Sequence, residues 1–179
     1  MEVNGYEIGP KKNLILADLT EANLAGQDLS SSVLISAFLH NANLSGTSLQ
    51  SANLSGARLS GANLQRADLA FAVLIGTSFF SSNLERANLL QANLTGAFLF
   101  DANLQSANLS GANLVGADMS GANLSNADLT NANLVGAILD GANFIGANLD
   151  GTNLFGANIS NAIMPDGSVV PDRTVQTID

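Results

Sequence analysis

A five-residue period runs through this chain without one insertion, and it excludes most ways of folding. Every position whose number ends in 4 or 9, from Leu14 to Met164, is large and apolar. Of these 31 positions 26 are Leu, and the others are Phe79, Met119, Phe144, Ile159 and Met164. Two residues earlier, 24 of 31 positions are Ala; the exceptions (Lys12, Gln27, Ser32, Thr47, Thr77, Ser82 and Thr152) are mostly small. Between the two stands Asn in 17 units and Asp in 5. The unit is Ala-(Asn/Asp)-Leu-x-x. A helix returns apolar residues to one side about every 3.6 residues and a plain strand about every 2; five fits neither.

Ala and Leu two apart lie on the same side of an extended backbone. The other three residues must then turn the chain so that the next pair faces inward again. Repetition gives a winding coil with a continuous Leu interior and an Ala layer beside it. A second large residue per side would overfill so narrow a core. Asn or Asp beside the corner suits a local bond to the backbone and tolerates turn geometry. Gly at the last position of many units, such as Gly26, Gly46, Gly56, Gly61, Gly111, Gly116 and Gly121, supplies permissive dihedrals.

On these residues, Lys12 to Met164, the chain resembles the pentapeptide-repeat family over about 85% of its length. The resemblance implies an all-β fold, a right-handed quadrilateral β-helix (solenoid) with four units per coil. Thirty-one units then make about 7–8 coils, and at ~4.8 Å per stacked strand a rod roughly 37 Å long. The residue after each central Leu should point outward. Stacked every 20, one column reads Ile15, Ile35, Ser55, Ile75, Thr95, Val115, Val135, Phe155; six of its eight members are large and apolar, against four of the other 23 such positions. Stacking every 15 gives no comparable column, so the side count of four has support of its own.

The organisation expected is an N-terminal cap over 1–11, the repeat β-helix over 12–166, and a C-terminal cap and tail over 167–179. Asn4-Gly5 is a tight-turn signal between Val3 and Tyr6, and Val3, Tyr6 and Ile8 are expected to lie over the first coil. Met164-Pro165-Asp166-Gly167 should stop the repeat. Val169 and Val170 should add one strand, and Pro171 to Asp179 should form a short helix or a loose tail. The resemblance implies short caps of this kind, and in some members pairing end to end through the C-terminal coil.

No constellation for catalysis is visible, and the chain is expected not to be an enzyme. Cys is zero, which removes thiol nucleophiles, disulfides and thiolate metal sites. His40 is the one His and sits at an outward position, read as a solvated side chain. Asp140 and Asp150 fall on different sides of the coil, so they make no acid–base pair. No phosphate loop, EF-hand pattern or His-x-x-x-His occurs. Neither a cofactor, a metal nor a small-molecule substrate is expected. Six Asn-x-Ser/Thr triplets, at Asn43, Asn53, Asn93, Asn108, Asn123 and Asn158, follow from the repeat itself. The first twelve residues hold no apolar leader core. The longest large-apolar stretch, Leu69 to Ile75, is seven residues where a bilayer needs roughly 20. A cytoplasmic protein without a membrane span is the expectation.

Charge and surface pattern decide what kind of partner suits the rod. A net charge of −9, from 6 basic and 15 acidic residues, argues against direct nucleic-acid binding. Large apolar outward residues concentrate on two adjoining sides: Ile35, Phe38, Ile75, Phe80, Phe98, Phe100, Val115, Val135, Ile138 and Phe155, with Val33 and Val73. The opposite sides hold little beyond Leu90 and Ile145. Such a strip suits a protein contact or self-association, giving a homodimer through the apolar faces or an end. It equally suits plain ladder packing, since branched and aromatic neighbours stabilise a sheet without a partner. Arg58 interrupts the strip. Phe71 to Ser82 departs most from the consensus and reads as a local widening of the coil or a docking site.

The function expected is that of a non-enzymatic scaffold presenting flat faces to a protein partner. The alternative is a DNA-mimic modulator of a type II topoisomerase, which the resemblance brings in. B-DNA carries a charge every ~1.7 Å, so ~37 Å would carry about 22. Lys12 to Met164 hold ten acids and four bases, a net of −6, which falls well short.

Overall fold

The computed structural model of the chain describes residues 2–172. Its backbone is organised by parallel bridges between residues 20 apart, running from Asn13 to Ile163 in four ladders that begin at Asn13, Asp18, Asn23 and Asp28. One turn of the winding is therefore four five-residue units, the side count read from the Ile15 column. Each ladder is a succession of single bridged residues. Among the described residues, regular strands occur only in a terminal hairpin, β1 (Glu2–Val3) and β2 (Tyr6–Glu7).

In the interior of the rod, a unit with Asn or Asp between its Ala and Leu satisfies all five of its amides, and the way it does so explains the consensus. In the unit around Leu64, the Asn63 N–H donates back to Ala42 (2.9 Å), while Leu64 and Arg66 donate forward to Asn83 (2.7 Å) and Glu85 (2.9 Å). The Ala67 N–H closes the corner on the Leu64 carbonyl at 2.9 Å. That leaves the N–H of Gln65, and the Asn63 side chain accepts it through Oδ1 at 3.1 Å. The same bond recurs along the coil, as at Asn13 with Ile15 (3.2 Å) and Asp128 with Thr130 (2.9 Å). Asn or Asp is thus selected by the one amide that neither ladder nor turn can reach.

Each corner is a four-residue turn with a positive φ at its third residue only, the type II pattern. Every position ending in 1 or 6 from Lys11 to Asn161 has φ between 51° and 69°. Gly fills 14 of these 31 sites; the other 17 are not Gly and include Leu16 and Phe71. The sequence pattern suggested Gly as the source of the corner, but the interturn bonds impose it. A side chain held there costs about 1–2 kcal/mol. At Gly61 and Gly151 the preference has a second cause. A Cβ there would collide with the side-chain oxygens of Asn41 and Asn131, which lean over from the preceding turn.

The Leu series from Leu19 to Leu139 is fully buried, with Phe79, Met119 and Phe144 in the same interior. Thr47 and Thr77 stand buried in Ala positions because each hydroxyl donates to a carbonyl one turn back, Leu24 at 2.7 Å and Leu54 at 2.8 Å. Ser82 donates to the Phe79 carbonyl at 2.7 Å. No buried side-chain nitrogen or oxygen among the described residues lacks a partner.

At the N-terminal end the hairpin pairs Val3 with Tyr6. Both pack on the core and Ile8 is buried, as expected. Lys12 holds Glu7 at 2.8 Å. At the other end Met164 to Gly167 turns the chain and Val169 bridges Ile163 in antiparallel fashion. Pro171 and Asp172 adopt no regular structure, and the rest of the helix or tail expected there lies outside the described residues. Leu149, Leu154 and Ile159 are only partly buried. Among the described residues the amides of Leu149, Gly151, Leu154, Gly156 and Ile159 have no acceptor.

Two substitutions test this arrangement by urea unfolding. Leu94→Ala removes a fully buried core residue and should cost about 2–5 kcal/mol. Ser51→Gly relieves a positive φ of 57° at an exposed corner and should stabilise by about 1 kcal/mol. A destabilising Ser51→Gly would contradict the corner assignment.

Candidate functional site

The ladder that begins at Asp18, with the outward columns beginning at Ile15 and Thr20 on either side, forms one face of the winding. All ten residues singled out in the sequence fall on it. Ile35, Ile75, Val115, Val135 and Phe155 occupy the first flanking column. Phe38, Phe98 and Ile138 are in the ladder itself, and Phe80 and Phe100 lie in the second column. Phe155, Phe98 and Phe80 are 80%, 54% and 46% exposed. Ile75, Phe100 and Ile138 are also exposed, while Ile35, Phe38, Val115 and Val135 are half-buried.

Two contacts define the face locally. The rings of Phe80 and Phe100, one turn apart, stack at 5.7 Å between centroids and 6° between planes. The Arg58 guanidinium lies 5.0 Å above the centre of the Phe38 ring. Arg58 therefore covers part of the apolar strip and is held there by the ring's negative face, where the sequence suggested an interruption. Two further apolar residues are exposed: Phe71, which the sequence singled out at the head of its most divergent stretch, and Leu16, which sequence reasoning passed over. Both occupy corner sites with positive φ. The signal for Leu16 was the one already read at Phe71, an apolar residue at a position usually Gly or polar. Phe71 belongs to another corner, but Leu16 adjoins Ile15 at the edge of this face.

The stretch from Phe71 to Ser82 keeps its interturn bonds, for example Phe71 to Leu90 at 2.9 Å and Phe79 to Phe98 at 2.7 Å. Phe79 is fully buried. The core takes the larger ring with the backbone ladder intact.

The two faces built on the Asn23 and Asp28 ladders differ in kind. Asn43 Nδ2 donates to Asn23 Oδ1 at 3.2 Å, Asn103 to Asn83 and Asn123 to Asn103 at 3.2 Å each. On the neighbouring side Asn88 donates to Asp68 (2.9 Å) and Asn108 to Asn88 (3.1 Å). These amides already bond along the rod, which leaves them little unmet capacity for a ligand. Acids are scattered over several columns, with Asp18 and Asp118 in one ladder and Asp28, Asp68 and Asp128 in another. His40 is half-exposed in the column of Ser60 and Phe80, and Asp140 and Asp150 stand in different columns. No group of three His, Asp or Glu among the described residues is placed to hold a metal ion. No helix among them is long and apolar enough to cross a membrane.

The hydroxyl and then the amide of Thr20 hold the Asp18 carboxyl below the usual carboxylate range, and Ser30 does the same for Asp28. A lowered folded-state value means stability present at neutral pH and lost as pH falls through that lowered range. Urea midpoints should therefore drop from pH 7 to pH 3. Asp28→Asn, which keeps the accepting oxygen but cannot titrate, should show a smaller drop. An equal drop in both would remove Asp28 from the account.

A model of pentapeptide repeats matches the chain in eight copies, over residues 13–50, 52–89, 82–121 and 122–161. Solved structures similar to it include the following three. HetL, a pentapeptide repeat protein involved in heterocyst differentiation regulation from the cyanobacterium Nostoc sp. strain PCC 7120, is 36% identical, covering 89% of this chain and 92% of its own, with a TM-score of 0.35. A pentapeptide repeat protein of the Arabidopsis thaliana thylakoid lumen is 42% identical over 55% of this chain and 66% of its own, with a TM-score of 0.43. QnrB1, a plasmid-mediated fluoroquinolone resistance protein, is 18% identical over 88% and 84%, with a TM-score of 0.38. No curated protein matches.

Proposed function

The chain belongs to the pentapeptide-repeat family, and from that premise we propose that it is a non-enzymatic scaffold whose Asp18 face binds protein. In this reading the winding is a right-handed quadrilateral β-helix of about 7–8 coils with a cap at each end. The observation that carries the function is the contrast between faces. The sides built on the Asn23 and Asp28 ladders carry amide side chains that bond to one another along the rod. The Asp18 side instead exposes Phe80, Phe98, Phe100 and Ile138 together. A contiguous apolar surface of this kind is characteristic of contact sites. A rigid ladder holds it flat, so little ordering cost accompanies binding.

The topoisomerase reading stands second. Its support is the net negative charge, and the scattered acids weigh against a DNA-like track.

Phe80→Ser together with Phe100→Ser distinguishes a contact face from structural packing. The stacked pair contributes about 1 kcal/mol to the fold, so the double variant should stay folded with a slightly lower melting temperature. It should also bind less of a hydrophobic dye such as ANS, and less of any protein the native rod retains. Unfolding of the double variant would show that these rings serve the ladder.

A further inference from the structure

We propose that the Asp18 face pairs with a second copy of this chain, the two rods lying face to face and antiparallel. This rests on the reading of that face as a protein-contact surface, and it names the partner. The face is complementary to itself in charge and in shape. In an isologous pair with antiparallel rods, each column faces the same column of the partner, read in the opposite direction. Take the two-fold axis midway along the ladder, between the turn of Ser78 and that of Phe98. Arg58 then faces Asp118. One column over, His40 faces Asp140. The strip's one base thus meets an acid, and no like charges come opposite each other.

The apolar residues obey the same operation. Phe38 faces Ile138, and Phe80 faces Phe100, so the two stacked ring pairs meet at the centre. Large side chains fall opposite small ones where crowding would otherwise occur: Phe98 over Ser78, and Leu16 over Gly156. Phe155, the most exposed aromatic, meets Ile15 at the end of the strip.

The register is fixed. Sliding one rod by one turn sets Arg58 against Phe98 or Ile138 and Asp118 against Phe38 or Ser78, so the opposed charges are lost in either direction. Parallel rods would bring each turn against the same turn of its partner, so Phe98 would meet Phe98 and every charge would recur at its own level. The ladder spans seven steps of ~4.8 Å, about 34 Å, and one side is about 10 Å wide. That is small for an obligate dimer, so the pairing is reversible and depends on concentration.

Sedimentation velocity on the full chain, from low to high micromolar concentration, tests this. The expected result is a monomer–dimer equilibrium, weakened at least tenfold by Asp118→Arg and restored when Arg58→Asp is added. Circular dichroism of each variant checks the fold. The second arm uses the absence of native Cys. Ser60 and Ser120 oppose each other across the proposed axis, and packed faces lie about 10 Å apart. A bismaleimide of about that span should couple Ser60→Cys chains to Ser120→Cys chains far more than either to itself. A wild-type chain that stays monomeric overturns the self-pairing, and the Phe80/Phe100 variant still judges the contact-face reading separately. A dimer indifferent to Asp118→Arg, with no selective coupling, also overturns it and points to pairing through the rod ends.

Discussion

Everything in this molecule depends on closing the hydrogen bonds of a five-residue unit. An extended backbone that turns a corner every five residues would leave one amide in five stranded. Where a unit carries Asn or Asp the side chain accepts that amide; the corner closes on the Leu carbonyl, and the remaining three amides reach the adjacent turns. With the polar backbone satisfied in this way, a narrow interior of Leu beside Ala becomes affordable. The unit's consensus is a statement about donors and acceptors as much as about hydrophobicity.

The same closure explains why the surface is free to vary. Once the ladder holds the backbone, the outward positions carry no duty to the fold beyond neighbour packing. Even the corner φ is enforced from outside the residue that adopts it, since Leu16 and Phe71 sit there as Gly does. On two sides the freedom is spent on amide side chains that bond lengthwise. On the Asp18 side it is spent on aromatic and branched residues, with Arg58 laid over Phe38. That difference is what makes the Asp18 side a candidate for contact and the two amide-lined sides ordinary solvated wall.

Much of this was legible in the sequence because a strict period leaves few geometries open. The Leu interior, the Ala layer, the local role of Asn and the four-sided winding could all be read from positions alone. The terminal hairpin was signalled by Asn4-Gly5 between Val3 and Tyr6. The positive φ at non-Gly corners was not legible, because residue preference argues against it and only the interturn bonds overrule the preference. The contact of Arg58 with Phe38 was missed for a related reason. A sequence shows that the two are 20 apart, but not that the long side chain folds back over the ring. Leu16 escaped notice because its position was assigned to a turn and its side chain was not followed outward.

The central claim is that residues 20 apart are neighbours on parallel ladders around a Leu interior. Nuclear Overhauser contacts in solution measure this directly. The account predicts cross-strand contacts between backbone protons of pairs such as Asn63 and Asn83, repeated along all four ladders. It also predicts slow amide exchange at the core Leu residues. Sequential helical contacts, or neighbours at a spacing other than 20, would contradict it.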